Sequence, residues 1–583
     1  MQLPMNNSKY TSEKAIQILV ALLKQHGIRK VIACPGGTNM MLNACLMYDG
    51  NFEMYSCDDE RSASYMATGM SAESDEPVVI TCTGATASRN FMPGLTEAFY
   101  RKLPILVITG QQDYRRQGNL HDQIIDRSVL PNDIAVNSVY VPIVRDVQDE
   151  ANAALRINQA ISALTLNGGG PSHINLETSY SQLWNVSELP AVKTIRRVDA
   201  DGEFPLLPKG KIALFIGSHK TFSEEDIEAI DTFCYNHNAV AFCDHTSNYK
   251  GRFRQLSAML SLRHAKCLDG IDLLIHFGEI SGDHFAVGNC AADVWRISND
   301  GQLRDTYGKL TYLFNMKELQ FFTHYKDENI NPGKSFLKEC QEEYKYMYEN
   351  LPDLPFSNIW CAKQLHSTIP ENSCMHFGIL TSLRSWNFFE VPRSVNTMSN
   401  VGGFGTDGMM SSLIGASLVH PNKLYFGVVG DLAFFYDLNS LGNRHIGKNV
   451  RIMLFNNGKG CEFKHHMSPG HIFKDDADLY ISAAGHFGNQ SPTLVRNYAT
   501  SLGFRYLTAS TKDEFLANMD EFLTPELSQS YIYEVFTQDV DENEALKLIR
   551  VNGIKDSIKV AMKESGLDIL AYNVKDIMKK VIK

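Results

Sequence analysis

The sequence predicts an α/β protein built from several parallel sheets, on three observations. Short apolar segments recur in the first 190 residues, at Lys30 to Cys34, Val78 to Cys82, Ile105 to Thr109 and His173 to Leu176, each ending in a Gly-rich or polar turn. Helical periodicity fills the gaps between them, as expected where crossover helices join parallel strands. The alternation resumes at Ile212 to Ile216, Ala239 to Phe242 and Leu273 to Phe277, and again at Tyr425 to Val429, Arg451 to Phe455 and Tyr531 to Val535. In such sheets the functional loops lie at the carboxyl ends of the strands.

Taken in order, Thr11 or Ser12 is expected to cap a first helix that stops at Gly27. Pro190 to Pro208 reads as a linker and Lys345 to Phe356 as a second connection, with the next region starting near Asn358. The boundaries that follow are 1–190, 205–345 and 356–555, with an amphipathic helical tail at 556–583. No tandem repeat or low-complexity tract stands out.

The chain has 583 residues, enough for three or four domains at roughly 150 residues each. Lys and Arg number 55 against 66 Asp and Glu, a net charge of −11, so no basic footprint points to nucleic acid or an anionic membrane. Apolar residues are 44% and charged residues 21%, which suits a packed protein rather than a disordered one. The 12 cysteines form no C-x-x-C pair and are expected to be buried thiols in a reducing, cytoplasmic setting. The N-terminus lacks signal-peptide character, and no run approaches the ~18 apolar residues of a membrane span.

The strongest local signal is Gly430-Asp431-Leu432, then 23 residues, then Asn456-Asn457, with a strand running into each end. A glycine there lets backbone approach a phosphate, and a helix starting after it aims N–H groups at the anion. Asp431 and Asn457 can then give oxygen ligands to a hard cation, with the main-chain carbonyl of Lys459 as a third.

This spacing resembles the diphosphate and magnesium motif of thiamine-diphosphate-dependent enzymes, in which Gly-Asp-Gly precedes Asn-Asn. Leu432 stands at the third position, and GDLAFFYDLNSL looks most like the menaquinone-pathway succinyl-enolpyruvyl-hydroxycyclohexene-carboxylate synthase branch. CDDERSASYMATGMSAES, TCTGATASRNFMPGLTEAF, GGPSHINLE and SNVGGFGTDGMMSSLIGAS match further segments of the family in order. The resemblance implies three doubly wound parallel-sheet domains of the thiamine-diphosphate decarboxylase/carboligase type, in the order pyrimidine-binding, middle and diphosphate-binding.

It also implies roles. Glu60 falls on the glutamate that activates the cofactor, because a carboxylate bonded to the pyrimidine N1′ turns the cofactor's own amine into the base. Gly36, Gly405, Thr406, Asp407, Gly430, Asp431, Leu432 and Asn457 would border thiamine diphosphate, and Asp431, Asn457 and Lys459 would hold Mg2+. Thr406 sits where relatives carry a bulky apolar wedge, so Phe404 is an alternative. His121 and Gln123 fall on a loop facing the active site in relatives, where His can relay protons near neutral pH. Arg384, Thr38, His465 and His466 would face substrate. A homodimer or homotetramer is implied, because the family completes its site between subunits.

Other readings compete. Gly403-x-Gly405-x-x-Gly408 fits a dinucleotide fingerprint with Asp431 as the ribose acid, but Ser394 to Asn400 is too polar for the strand it needs. His465, His466 and His471 would suggest a metal site, but no carboxylate or cysteine is read at ligand spacing. The synthase branch pairs substrate carboxylates with arginines, whereas Thr38, Gln112 and Val401 stand at those positions here. The expected activity is therefore decarboxylation of a small 2-oxo acid, with possible transfer to a second carbonyl. The menaquinone-pathway synthase, a phosphonopyruvate-type decarboxylase and an inactive cofactor-binding relative remain as alternatives.

Overall fold

A computed structural model describes residues 7–283, 287–326, 332–482, 484 and 491–550. The tail expected at 556–583 lies outside the described residues. The chain divides into two compact units, one from the described parts of 1–204 and 298–316, the other from those of 205–297 and 317–550.

The first unit carries a six-stranded sheet, ordered Glu53–Ser56, Lys30–Ala33, Val78–Cys82, Ile105–Gln111, Ser172–Glu177, Asn137–Val141. Every neighbouring pair is parallel. The central strands are buried throughout, so they read as continuous apolar runs. Helices on both faces seal two cores, one around Leu19, Val31 and Leu106, the other around Ile80, Leu95 and Val107. Arg196–Asp199, inside the expected linker, is a strand that pairs with Leu310–Asn315 in the same unit. The first helix runs Lys14–Gln25, but neither Thr11 nor Ser12 caps it. Thr11 is held in a two-residue strand against Trp184, and Glu13 precedes the helix. The Glu13 carboxylate instead accepts bonds from Thr178, Ser179 and Ser181.

The second unit contains five parallel strands ordered Arg254–Leu256, Val240–Cys243, Lys211–Ile216, Ile271–Phe277, Ala291–Ile297. It also contains a second six-stranded parallel sheet, ordered Asn396–Ser399, Cys374–Phe377, Tyr425–Gly430, Val450–Asn456, Tyr531–Phe536, Arg505–Ala509. Numbered along the chain, the strands of both six-stranded sheets run 2-1-3-4-6-5, a repeat of topology without a repeat of sequence. Ser394 to Asn400, rejected as a strand for its polarity, contains the edge strand Asn396–Ser399. An edge strand has one paired side and tolerates polar residues.

Close packing sets the helix Glu60–Ser74 against the helix Met92–Tyr100. A Cβ on Gly94 would lie 2.2 Å from Ser64 Oγ and 2.8 Å from its carbonyl carbon. Gly94→Ala is therefore expected to force the helices apart and destabilise the protein by about 1–3 kcal/mol. Urea denaturation checks this, and an unchanged midpoint would refute the close approach.

Candidate active site

The strand Tyr425–Gly430 delivers Asp431 to the carboxyl edge of the second six-stranded sheet, and the neighbouring strand Val450–Asn456 delivers Asn457. A cavity of about 80 Å³ between these ends is bordered by Thr406, Gly430, Asp431, Leu432, Asn457 and Lys459. Six residues expected from distant segments thus meet at one place. Nothing lies within 4 Å of where a Cβ on Gly430 would sit, so open space borders that backbone. Gly405 and Asp407 turn on each other instead, since a Cβ on Gly405 would lie 2.3 Å from Asp407 Oδ1.

Asp431 is 3% exposed. Its Oδ1 accepts the N–H of Leu432 at 2.7 Å, while its Oδ2 is buried with no hydrogen-bond partner. Burial pushes the carboxyl up to about 7, against the opposing N–H groups of Leu432, Gly458, Asn457 and Lys459. A buried carboxylate oxygen without a donor is a fitting ligand for a hard divalent cation. Asn457 Oδ1 accepts the Lys459 N–H at 3.2 Å and keeps a lone pair for such a cation.

Glu542 borders the same cavity and was not read from the sequence. It comes from the helix Asp539–Arg550, accepting the Asn358 N–H at 3.0 and 3.1 Å and the Thr537 hydroxyl at 2.8 Å. Burial raises it to about 7 despite those bonds, and the Asp431 charge adds to the rise. Nothing local distinguishes it from the surface acids of DENEALKLIR.

A larger cavity of about 590 Å³ shares Leu380, Thr381, Cys461, Glu462 and Glu542 with the first. Arg384 and His465 line it. Arg384 donates to Glu462, which also accepts the Thr381 hydroxyl at 2.9 Å and lies 3.2 Å from His465 Nε2. Burial pulls the Glu462 carboxyl up, but His465, Arg384 and Thr381 together hold it below the ordinary value. A carboxylate thus stands three residues from His465, where the sequence reading found none; among the described residues no three His, Cys, Asp or Glu group into a metal site. His466 packs on Asn543, its N–H and Nδ1 each 2.9 Å from Asn543 Oδ1. Phe404, with φ of 53°, lines the larger cavity while Thr406 lines the smaller.

The remaining candidates lie in the first unit. Glu60 opens the helix Glu60–Ser74, capped by Asp59, and is half-buried with Asn90 Nδ2 donating to it at 3.4 Å. A Cβ on Gly36 would lie 2.5 Å from Thr83 Cβ, so the glycine permits a close approach. His121 and Gln123 are exposed. Thr38 is buried, its hydroxyl shared with Thr83 at 2.6 Å, with the Gly110 carbonyl at 2.7 Å and with the Gly84 N–H at 3.3 Å. Val401 is buried too, near the place of a Cβ on Gly282. Gln112 bonds Tyr180 and Arg116.

Residues 13–130 match the family described as thiamine pyrophosphate enzyme, N-terminal TPP binding domain. In that region the chain is similar to thiamine-diphosphate-dependent enzymes, and over nearly its whole length it is similar to synthases. It is 29% identical to the 2-succinyl-5-enolpyruvyl-6-hydroxy-3-cyclohexene-1-carboxylate synthase of Phocaeicola vulgatus, over 94% of this chain and 99% of the relative. Synthases of the same name from Bacteroides fragilis and Flavobacterium johnsoniae are 28% and 26% identical, over 92% and 91% of this chain and 98% and 97% of theirs. No described helix is long and apolar enough to cross a membrane.

Two outcomes follow from the buried carboxyls. Asp431→Ala is expected to weaken thiamine diphosphate binding in the presence of Mg2+, and equal calorimetric affinities would remove Asp431 from the site. Glu542 keeps its proton to about pH 7 when folded but loses it near ~4.3 when unfolded. Between those values unfolding releases a proton, so its contribution makes stability fall as pH rises. Glu542→Gln should flatten that slope in urea midpoints between pH 5 and 7 without added cation; an unaltered slope would contradict the assignment.

Proposed function

We propose that this chain is a thiamine-diphosphate-dependent carboligating synthase, which decarboxylates a 2-oxo acid and joins the remaining acyl unit to a second substrate. The observation that carries the reading is the whole-length similarity to synthases, in a chain that keeps Glu60, Asp431 and Asn457. That similarity favours a synthase over the simple decarboxylase read from the motif alone.

Asp431 and Asn457 would hold Mg2+ against the diphosphate, with the Lys459 carbonyl as a further ligand. The orphan Oδ2 of Asp431 supports this, because a cation supplies what the fold leaves unpaired there. Glu60 would hold a proton at the pyrimidine N1′. Bound thiamine diphosphate supplies a carbon nucleophile and takes up the electron pair released with carbon dioxide. The apolar wall of the larger cavity, including Phe388, Phe404, Phe463 and Met467, would keep water from the reacting carbon. His121 and Gln123 would serve proton transfer from the first unit. As the resemblance implies, two copies would complete each site, giving a dimer or tetramer.

A second reading, in which the substrates differ from those of the named relatives, is favoured by Thr38, Gln112 and Val401, none of which presents a cation. One assay separates the two. Protein, thiamine diphosphate and Mg2+ are mixed with isochorismate and 2-oxoglutarate, following isochorismate absorbance and carbon dioxide. Turnover above ~1 s⁻¹ assigns the relatives' reaction; carbon dioxide from other 2-oxo acids alone assigns the second reading. In either case Glu60→Gln should bind cofactor yet turn over ~10² to 10⁴ times more slowly. Unchanged turnover in that variant would remove Glu60 from catalysis.

A further inference from the structure

The lining of the 590 Å³ cavity has a charge pattern that bears on substrate. Arg384 is the one Arg or Lys among its described lining residues, against the acids Glu462, Asp539 and Glu542. The guanidinium is already matched, because Glu462 accepts from it inside the cavity wall, and both side chains are at most 16% exposed. Thr381 and His465 complete the bonding of that carboxylate.

The neighbouring lysines offer no replacement charge. Lys459 Nζ lies 2.8 Å from Asp478 and 3.2 Å from Asp539. Lys464 Nζ lies 2.9 Å from Asp478, 3.4 Å from Asp539 and 3.5 Å from Asp475. These pairs tie residues 459–478 to the start of the helix Asp539–Arg550 and leave each ammonium facing carboxylates. The rest of the lining is largely apolar: Ile359, Leu380, Phe388, Phe404, Phe463 and Leu546 among others.

A substrate carboxylate placed here would meet a guanidinium whose charge Glu462 already offsets, and would lose hydration without gaining an unmatched cation from Lys459 or Lys464. An uncharged apolar group would lose nothing and would bury its surface. We infer that Glu462 is a specificity-determining residue, which cancels Arg384 so that this cavity receives a neutral, apolar substrate group rather than a second carboxylate. The inference rests on the carboligase reading and names its donor class: 2-oxo acids with an uncharged hydrocarbon side chain.

The test uses the full chain with thiamine diphosphate and Mg2+. Carbon dioxide release is measured from 4-methyl-2-oxopentanoate and from 2-oxoglutarate, for the native chain and for Glu462→Gln. The native chain should favour the apolar donor in kcat/KM by at least about ten-fold. Glu462→Gln should narrow that ratio by about ten-fold, through a lower KM for 2-oxoglutarate once the Glu462 charge no longer offsets that of Arg384. A native preference for 2-oxoglutarate, or a ratio unmoved by the substitution, overturns the inference. Should the variant fail to fold by circular dichroism, the native preference alone decides it. If no donor yields carbon dioxide the carboligase reading fails, and calorimetry with the unreactive 4-methylpentanoate and glutarate then decides the inference. Tighter binding of 4-methylpentanoate supports it; tighter glutarate, or binding of neither, overturns it.

Discussion

A carboxylate forced into the interior at the end of a central strand is the constraint around which the second unit is arranged. Asp431 cannot leave, because it continues a strand buried on both faces and begins the next helix. Its first oxygen accepts the Leu432 N–H, and its second has no hydrogen-bond partner among the described residues. A second buried acid, Glu542, stands at the same cavity and takes its hydrogen bonds from the Asn358 N–H and the Thr537 hydroxyl. Desolvation of two acids beside one opening is a cost that a divalent cation with its phosphates would offset. The site therefore makes energetic sense as one that binds a cation, and poor sense as a stabilising feature of the empty fold.

The charges around that opening are segregated. Lys459 and Lys464 are turned to Asp478 and Asp539, which fastens one loop to one helix. Arg384 is turned to Glu462. Its helix, Thr381–Trp386, is anchored from behind by His245, whose Nε2 lies 3.1 Å from the Trp386 carbonyl and 2.9 Å from that of Phe389. Packing of Gly282 on Leu383 and Val401 adds to the anchorage. Each cation is thus neutralised by a partner from another segment, and the larger cavity keeps an apolar face.

Two sheets of identical strand order, one per unit, place their functional loops alike. Glu60 follows the second strand of its sheet; Thr406 follows the second strand of the other. Asp431 follows a third strand, as Thr83 and Gly84 do in the first unit. One architecture with different loops places Glu60 after a strand of one unit and Asp431 after a strand of the other, and differences in loops rather than in sheets distinguish the two.

The sequence by itself marked most of the buried central strands, though not Cys374–Phe377, and singled out Gly430, Asp431 and Asn457 as candidate site residues. A parallel strand buried on both faces must be continuously apolar wherever it lies, so Val78–Cys82, Ile105–Gln111 and Val450–Asn456 announce themselves. Gly430, Asp431 and Asn457 stand out as candidates because the pattern that marks them lies in the residues beside them. Tertiary structure decided the rest. The edge strands Glu53–Ser56, Asn137–Val141, Asn396–Ser399 and Arg505–Ala509 were missed, since half-exposed strands carry polar residues and take their pairing from neighbours. Thr38 and Val401 could be compared with relatives, but only packing turned one into a buried hydroxyl and the other into core. Arg384 and Glu462 are 78 residues apart, and no periodicity or local propensity records that pairing. Their meeting, which sets the charge of the cavity, exists because two strand ends and the helices after them converge in space.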